Sequence, residues 1–96
     1  MNIILQKFGT TLISRQTGRE AFNAFKPSLK DINETEMVEA DFTGVITFSP
    51  SWGDEFLTPL LREYQDRLIL KNTENPSVKA TLEILELINK RKFIVK

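Results

Sequence analysis

Hydroxyl and carboxyl side chains gather in one short stretch of this 96-residue sequence. Ser49 and Ser51 follow the apolar run Val45–Phe48, and Asp54 and Glu55 come shortly after them. Ser51 with Asp54 three positions later has the spacing of a capping box, with Asp in place of the usual Glu or Gln. The stretch therefore predicts a helix start, which carries partial positive charge and unpaired N–H donors. Such a helix start can hold an anion, a phosphorylated hydroxyl group or a partner's carboxylate.

The same stretch also fits a strand-to-helix turn without any chemical role. Two residue types that the sequence lacks exclude several kinds of catalytic and metal site. The sequence has no cysteine and no histidine, which excludes thiol chemistry, Cys/His zinc sites and Ser-His triads. Carboxylates, lysines, hydroxyl groups and Tyr64 remain for catalysis, with Mg²⁺ as the accessible metal. We therefore expect a protein that is not an enzyme and has no cofactor.

The alternative hypothesis is a Mg²⁺-, phosphate- or nucleotide-binding α/β domain that uses Asp41, Asp54 and Glu55. A receiver-type phosphoacceptor domain would be the obvious relative. A sequence that resembles receivers has an acidic pair just after the first strand. This sequence has Lys7-Phe8-Gly9 at that position. The sequence also has no GxxxxGK[ST] phosphate-binding loop.

Charge and hydropathy bear on whether the chain binds nucleic acid or a membrane and on its location in the cell. Thirteen Lys and Arg residues balance thirteen Asp and Glu residues, so no net field favours nucleic acid. The basic trio Lys90–Lys92 fits the end of a helix, and a nucleic-acid contact is the alternative. The apolar runs are too short to span a membrane, and residues 1–7 do not resemble a signal peptide. We expect a cytoplasmic protein without nucleic-acid or membrane partners.

The apolar spacing predicts an α/β fold with the order β-α-β-α-β-α-β. Each crossover is long enough for a right-handed parallel connection, so we expect a mainly parallel sheet with three helices. Val38 and Ala40 alternate with Glu39 and Asp41, which indicates that one face of the sheet is partly open or that Asp41 ends its strand. Strands are predicted at residues 3–8, 37–42, 67–72 and 93–95, and the run 45–48 leads into the second helix.

The first predicted helix begins at about Arg15, after the candidate N-cap Ser14. It ends near Phe25 or continues with a kink past Pro27. Arg15 and Arg19 lie one turn apart, and they are either solvated or form an anion clamp.

The second and third helices are predicted from their apolar stripes. The second runs from Trp52 to about Asp66 with a kink at Pro59, and the alternative is a short turn followed by a helix that Thr58 caps. The third begins at Pro76. Its predicted core positions are Val78, Leu82, Leu85 and Ile88, widened by Ala80, Ile84 and Leu87.

Residues Asp41–Val45, the connection Ser49–Ser51 and the helix start Asp54–Leu57 resemble the core of STAS domains, and more closely the bacterial STAS-like domain family. Phe8–Thr10 and Leu12–Arg15 are similar to that family's opening pattern. The resemblance covers roughly residues 5 to 88. It implies one domain over residues 1–96, a small STAS-like sandwich, and a regulatory protein-interaction module rather than an enzyme.

In STAS anti-sigma-factor antagonists, a serine at the start of the second helix, preceded by Asp, is phosphorylated by a partner kinase. An ungapped alignment on Asp41 and Gly44 places the Asp position on Ser49 and the phosphoacceptor position on Pro50. Ser51 matches the adjacent serine, so either Ser51 or Ser49 takes the role only with a shift of one residue. The resemblance implies a histidine-kinase-like ATPase or an anti-sigma factor as partner.

Trp52 lies in the middle of this stretch, between Pro50 and Gly53. Trp is enriched in interface hot spots, so a half-buried Trp52 would anchor a partner, and the alternative is that it packs in its own core. The expected partner surface is formed by Ser49, Ser51, Trp52, Asp54 and Glu55, with Asp41 and Gly44 in support. The sequence leaves a homodimer open.

Overall fold

The computed structural model describes residues 1–96. Six strands and three helices follow one another as β1 (Asn2–Ile4), β2 (Thr11–Leu12), α1 (Arg15–Phe25), β3 (Val38–Asp41), β4 (Thr47–Phe48), α2 (Pro50–Tyr64), β5 (Leu68–Lys71), α3 (Pro76–Asn89) and β6 (Ile94–Val95). The predicted α/β class, with a mainly parallel sheet and three helices, is confirmed. No helix combines the length and hydrophobicity needed to cross a membrane.

Four strands form one parallel sheet in the order β1-β3-β5-β6. Crossovers that step in one direction and keep the right-handed rule place their helices on the same face, and α2 packs against both α1 and α3. Val38 and Ala40 are fully buried. Glu39 and Asp41 point to the other face and are only partly covered, and Glu39 pairs with Lys71 at 2.9 Å. The partly open face is confirmed, and Asp41 is also the last residue of its strand.

Two strands pair outside this sheet. β2 pairs with β4 in parallel, with Thr11 opposite Thr47, and the sequence did not indicate this pair. The predicted first strand is too long, since Leu5–Phe8 form a 3₁₀ turn. Only Thr47 and Phe48 of the run 45–48 are strand. The pairing of β2 with β4 fixes the chain directly before both α1 and α2.

The helix α2 is the centre of the hydrophobic core. It runs unbroken through Pro59, which confirms the single-helix prediction. The Trp52 ring stacks on Phe56 with centroids 5.0 Å apart and contacts Phe48 and Phe8. The other buried apolar positions of this helix are Leu57, Leu60, Leu61 and Tyr64.

The cap of α2 corrects one prediction. Ser49, not Ser51, is the N-cap, and Pro50 occupies the first helical position. Proline is favoured there because its fixed φ suits the first turn and its missing N–H would be unpaired anyway. The capping-box spacing of Ser51 with Asp54 is therefore not used.

The third helix also differs from its prediction. Asn75 and Pro76 cap and begin it as expected. Ile88, which was predicted to be core, is 62% exposed, and Leu87 is 79% exposed. The apolar residues of α3 cover more of its circumference than the sheet and α2 can bury.

The contact between α1 and α2 is set by Gly18. A Cβ atom built on Gly18 would lie 2.8 Å from the carbonyl oxygen of Trp52 and 3.0 Å from its Cα. The two backbones therefore approach more closely than any side chain at this position would allow. The helix α1 covers Trp52 through this contact.

We predict that Gly18→Ala destabilises the protein by about 1–3 kcal/mol, because the new methyl group meets backbone atoms that cannot rotate away. Urea unfolding at neutral pH measures the effect. Asn23→Ala, on the exposed side of α1, is the matched control and should change stability by about 0.5 kcal/mol or less. Equal stability of Gly18→Ala and wild type would show that α1 does not lie this close to α2.

Candidate functional site

The hydroxyl group of Ser49 has a structural role. It accepts a hydrogen bond from the Trp52 N–H at 3.2 Å and donates a short one to the Ile13 carbonyl oxygen. The Ser49 carbonyl accepts from the Gly53 N–H. These bonds satisfy the first turn of α2 and join it to the chain that follows β2. The Ser49 hydroxyl group therefore already donates and accepts a hydrogen bond within the chain.

Ser51 is the free serine of the connection. It is half-exposed, and its hydroxyl group makes no hydrogen bond within the chain. No buried side-chain oxygen or nitrogen lacks a partner, so this hydroxyl group is open to solvent. Pro50 has no N–H, and the N–H groups of Trp52 and Gly53 are bonded to Ser49. The N–H of Ser51 is thus the donor left free at the positive end of α2.

Two arginines of α1 hold the acidic residues of α2. Arg15 Nη1 lies 3.0 Å from Asp54 Oδ2 and 3.2 Å from Glu55 Oε1, and Arg19 Nη2 lies 3.0 Å from Glu55 Oε1. Thr58 Oγ1 donates to the other oxygen of Asp54 at 2.9 Å. Arg15 and Arg19 do form a clamp for anions, but the anions that they bind are the carboxylates of Asp54 and Glu55 in the same chain. We call these four charged residues the Arg15 network.

The Arg15 network shifts the pKa of two of its members. The hydrogen bond from Arg19 is the largest cause of the lowered pKa of Glu55; burial opposes it, and the hydrogen bond from Arg15 lowers the pKa further. Hydrogen bonds to Asp54 and Glu55 raise the pKa of Arg15. Both shifts favour the charged forms of Glu55 and Arg15.

The hypothesis of a half-buried Trp52 is wrong. Trp52 is 1% exposed, because α1 packs over it at Gly18 and aromatic rings surround it. Trp52 supports the site from below and does not touch solvent. Of the expected partner surface, Ser49, Ser51, Asp54 and Glu55 are partly exposed, but the hydroxyl group of Ser49 is already bonded within the chain.

Ile13 is an accessible apolar residue that sequence reasoning did not select. Its side chain is 51% exposed, and its carbonyl oxygen accepts the Ser49 hydroxyl at the start of α2. The alternation of buried Leu12 with exposed Ile13 identifies it only after β2 is known to be a strand. Ile13 is therefore an exposed apolar side chain beside the start of α2, where Trp52 was expected to be one.

Asp41 and Gly44 shape the turn after β3. Asp41 Oδ1 accepts hydrogen bonds from the Thr43 N–H at 2.9 Å, the Thr43 hydroxyl at 2.7 Å and the Asn72 amide at 2.9 Å. These bonds, first that of Asn72, lower the pKa of Asp41. Gly44 has a φ of 81°, in the left-handed region where other residues are strained, and it lies against the end of the Gln6 side chain.

The structure does not bring Asp41 together with Asp54 and Glu55. No three acidic side chains form a group that would hold a metal ion. Asp41 is bonded to its own turn, and Asp54 and Glu55 contact arginines. The geometry therefore gives the Mg²⁺ and phosphate hypothesis no support from these three residues.

Comparisons with protein-family models, curated proteins and solved structures find no match to this chain. The resemblance to the STAS-like family stays a prediction.

We predict that replacing the two serines of the connection by alanine affects the free energy of unfolding differently. Ser49→Ala should cost about 1–2 kcal/mol, because it removes the cap and leaves the Trp52 N–H and the Ile13 carbonyl unpaired. Ser51→Ala should change stability by about 0.5 kcal/mol or less. Urea unfolding measures both, and a larger loss for Ser51→Ala would contradict the assignment of the cap.

We predict that Asp41→Asn weakens the pH dependence of stability in acid. A carboxyl group with a lowered folded-state pKa contributes stability above its unfolded pKa, and that contribution is lost as the pH falls through the folded pKa. The loss therefore falls below about pH 4. Urea unfolding at pH 7 and pH 3 should show a smaller difference for Asp41→Asn than for wild type. Asp31→Asn, at an exposed position, is the control. If both variants reduce the difference in stability between pH 7 and pH 3 equally, the hydrogen bonds of Asp41 are not its cause.

Proposed function

We propose that this protein is a small regulatory protein-interaction module without catalytic activity. It binds its partner through the connection 49–55, and phosphorylation of Ser51 switches that binding. The proposal rests on the different hydrogen bonding of the two serines. Ser49 is bonded within the fold, whereas Ser51 presents a free hydroxyl group and a free N–H at the start of α2.

The surroundings of Ser51 support partner recognition. Asp54 and Glu55 lie one helical turn after Ser51, and Arg15 reaches them from α1. Ile13 adds an exposed apolar side chain next to the cap. The surface therefore combines an apolar contact with charges of both signs, as the polar rim of an interface does.

The same surroundings give phosphorylation a physical consequence. A phosphate on Ser51 carries close to two negative charges and favours the positive end of a helix. It would also compete with Asp54 and Glu55 for Arg15, since guanidinium groups bind phosphate well. Phosphorylation would thus break contacts of the Arg15 network and alter the surface that a partner reads.

The resemblance to STAS-like domains suggests the class of partner. We propose a histidine-kinase-like ATPase or an anti-sigma factor in the cytoplasm, with the connection 49–55 as the contact. The departure from the family pattern at Pro50 moves the proposed phosphoacceptor to Ser51.

We predict that Ser51→Asp weakens binding to the partner by about tenfold or more, because it places a fixed charge at the contact. The partner is first captured on wild-type protein, purified, and then titrated with each variant by calorimetry. Phosphoserine incorporated at position 51 gives the direct comparison.

Ser28→Asp is the matched control, because Ser28 is an exposed serine in the 3₁₀ segment after α1. It should bind within about twofold of wild type. Wild-type affinity for both the Ser51→Asp variant and the phosphoserine protein would refute the proposed contact.

A further inference from the structure

The exposed side of α3 carries an apolar stripe that the rest of the chain covers only in part. Ile84 is 41% exposed, Leu87 79% and Ile88 62%. Together with exposed Ala80 they have the spacing i, i+4, i+7 and i+8, which places them along one side of a helix. We call these four residues the α3 stripe. Its spacing is that of a helix that packs against another helix.

The buried side of α3 is complete without the stripe. Val78, Thr81, Leu82 and Leu85 face the core, and Thr81 and Ser77 bond to the Phe48 carbonyl. The helix is thus fixed in its place by a separate set of residues. The α3 stripe is an additional apolar surface, so something outside the chain must cover it or it remains in water.

Two charged residues flank Leu87 on one edge of the stripe. Glu83 lies four residues before Leu87 and Lys90 three residues after it. Neither makes an ion pair within the chain, whereas the neighbouring Arg91 pairs with Asp66 and Glu86 pairs with Lys92. Glu83, Leu87 and Lys90 line one surface groove, so this edge carries one negative and one positive charge that are free of ion pairs within the chain.

This charge arrangement is complementary to itself under a two-fold rotation. If two copies of α3 pack antiparallel about a two-fold axis between residues 86 and 87, each Glu83 faces the second copy's Lys90 and the two Leu87 side chains lie beside the axis. Ile84 then lies against the second copy's Ile88. Parallel packing would offer Glu83 no opposite charge. Isologous two-fold contacts of this kind are the commonest way in which soluble proteins form dimers.

We propose that the α3 stripe is a self-association surface and that the chain forms an antiparallel homodimer through α3. A standard interface buries about 800 Å² on each partner. One helix edge with three large apolar side chains supplies less than that, so the dimer is weak. We expect a dissociation constant on the order of 10–100 μM. The surface is separate from Ser51 and does not depend on the proposed function.

Sedimentation equilibrium of the full chain over about 1–500 μM tests the proposal. Wild type should change from monomer to dimer within that range. Leu87→Ser should raise the dissociation constant at least about tenfold. Ile46→Lys, which changes an exposed apolar residue outside α3, should leave it within about twofold. Circular dichroism checks that each variant is folded, which is expected because every changed residue is exposed.

A charge reversal distinguishes the antiparallel dimer from other forms of association. Glu83→Lys and Lys90→Glu should each weaken the dimer, because each creates two contacts between like charges. The double variant should restore association to near the wild-type constant, since both contacts then carry opposite charges again.

A monomer at every concentration would overturn the proposal, and so would a dimer that Leu87→Ser does not weaken. A double variant as weak as the single variants would overturn the antiparallel arrangement. Binding of the monomer to vesicles of phosphatidylcholine and phosphatidylglycerol through Leu87 would assign the stripe to a lipid surface and also overturn the dimer.

Discussion

The close contact of α1 with α2 at Gly18 is the constraint on which the site depends. With no side chain at Gly18, the α1 backbone lies directly over the carbonyl of Trp52. The indole ring is thereby enclosed with Phe8, Phe48 and Phe56. The same contact places α1 alongside the first two turns of α2. Arg15 and Arg19 reach Asp54 and Glu55 for this reason.

The start of α2 is held from two further directions. Ser49 binds the chain after β2 through the Ile13 carbonyl. Side chains of α3 bond to the edge of β4, since Ser77 accepts the Phe48 N–H and Thr81 donates to the Phe48 carbonyl. These bonds use nearly every polar group around the cap. The hydroxyl group of Ser51 is left without a partner in the chain, next to a helix start whose other polar groups are bonded.

Much of the fold follows from local signals in the sequence. Hydrophobic spacing gave the alternation of strands and helices, and Ser14 and Asn75 marked two helix starts. The apolar stripe in register through Pro59 indicated one continuous helix. Pro50 also carried the signal that makes Ser49 the cap, because proline favours the first helical position. The spacing of Ser51 with Asp54 was a weaker signal that pointed to the wrong serine.

The remaining features depend on contacts between distant parts of the chain. Burial of Trp52 requires α1 to approach at Gly18, 34 residues earlier in the sequence. The pairing of β2 with β4 joins two strands of only two residues each, which are too short for a period-2 pattern to predict. The helix α3 is apolar over so much of its circumference that spacing did not indicate which residues face the core. Ile88 was assigned to the wrong face for that reason.

The enclosure of Trp52 beneath α1 decides the composition of the proposed partner surface, because it removes the indole ring from solvent and leaves Ser51 and the Arg15 network partly exposed. Trp52 is the only tryptophan in the chain, so acrylamide quenching of its fluorescence measures this enclosure directly. An enclosed Trp52 should give a blue-shifted emission in the native protein and far weaker quenching than in urea-unfolded protein. Quenching of the native protein as strong as that of the unfolded chain would contradict it.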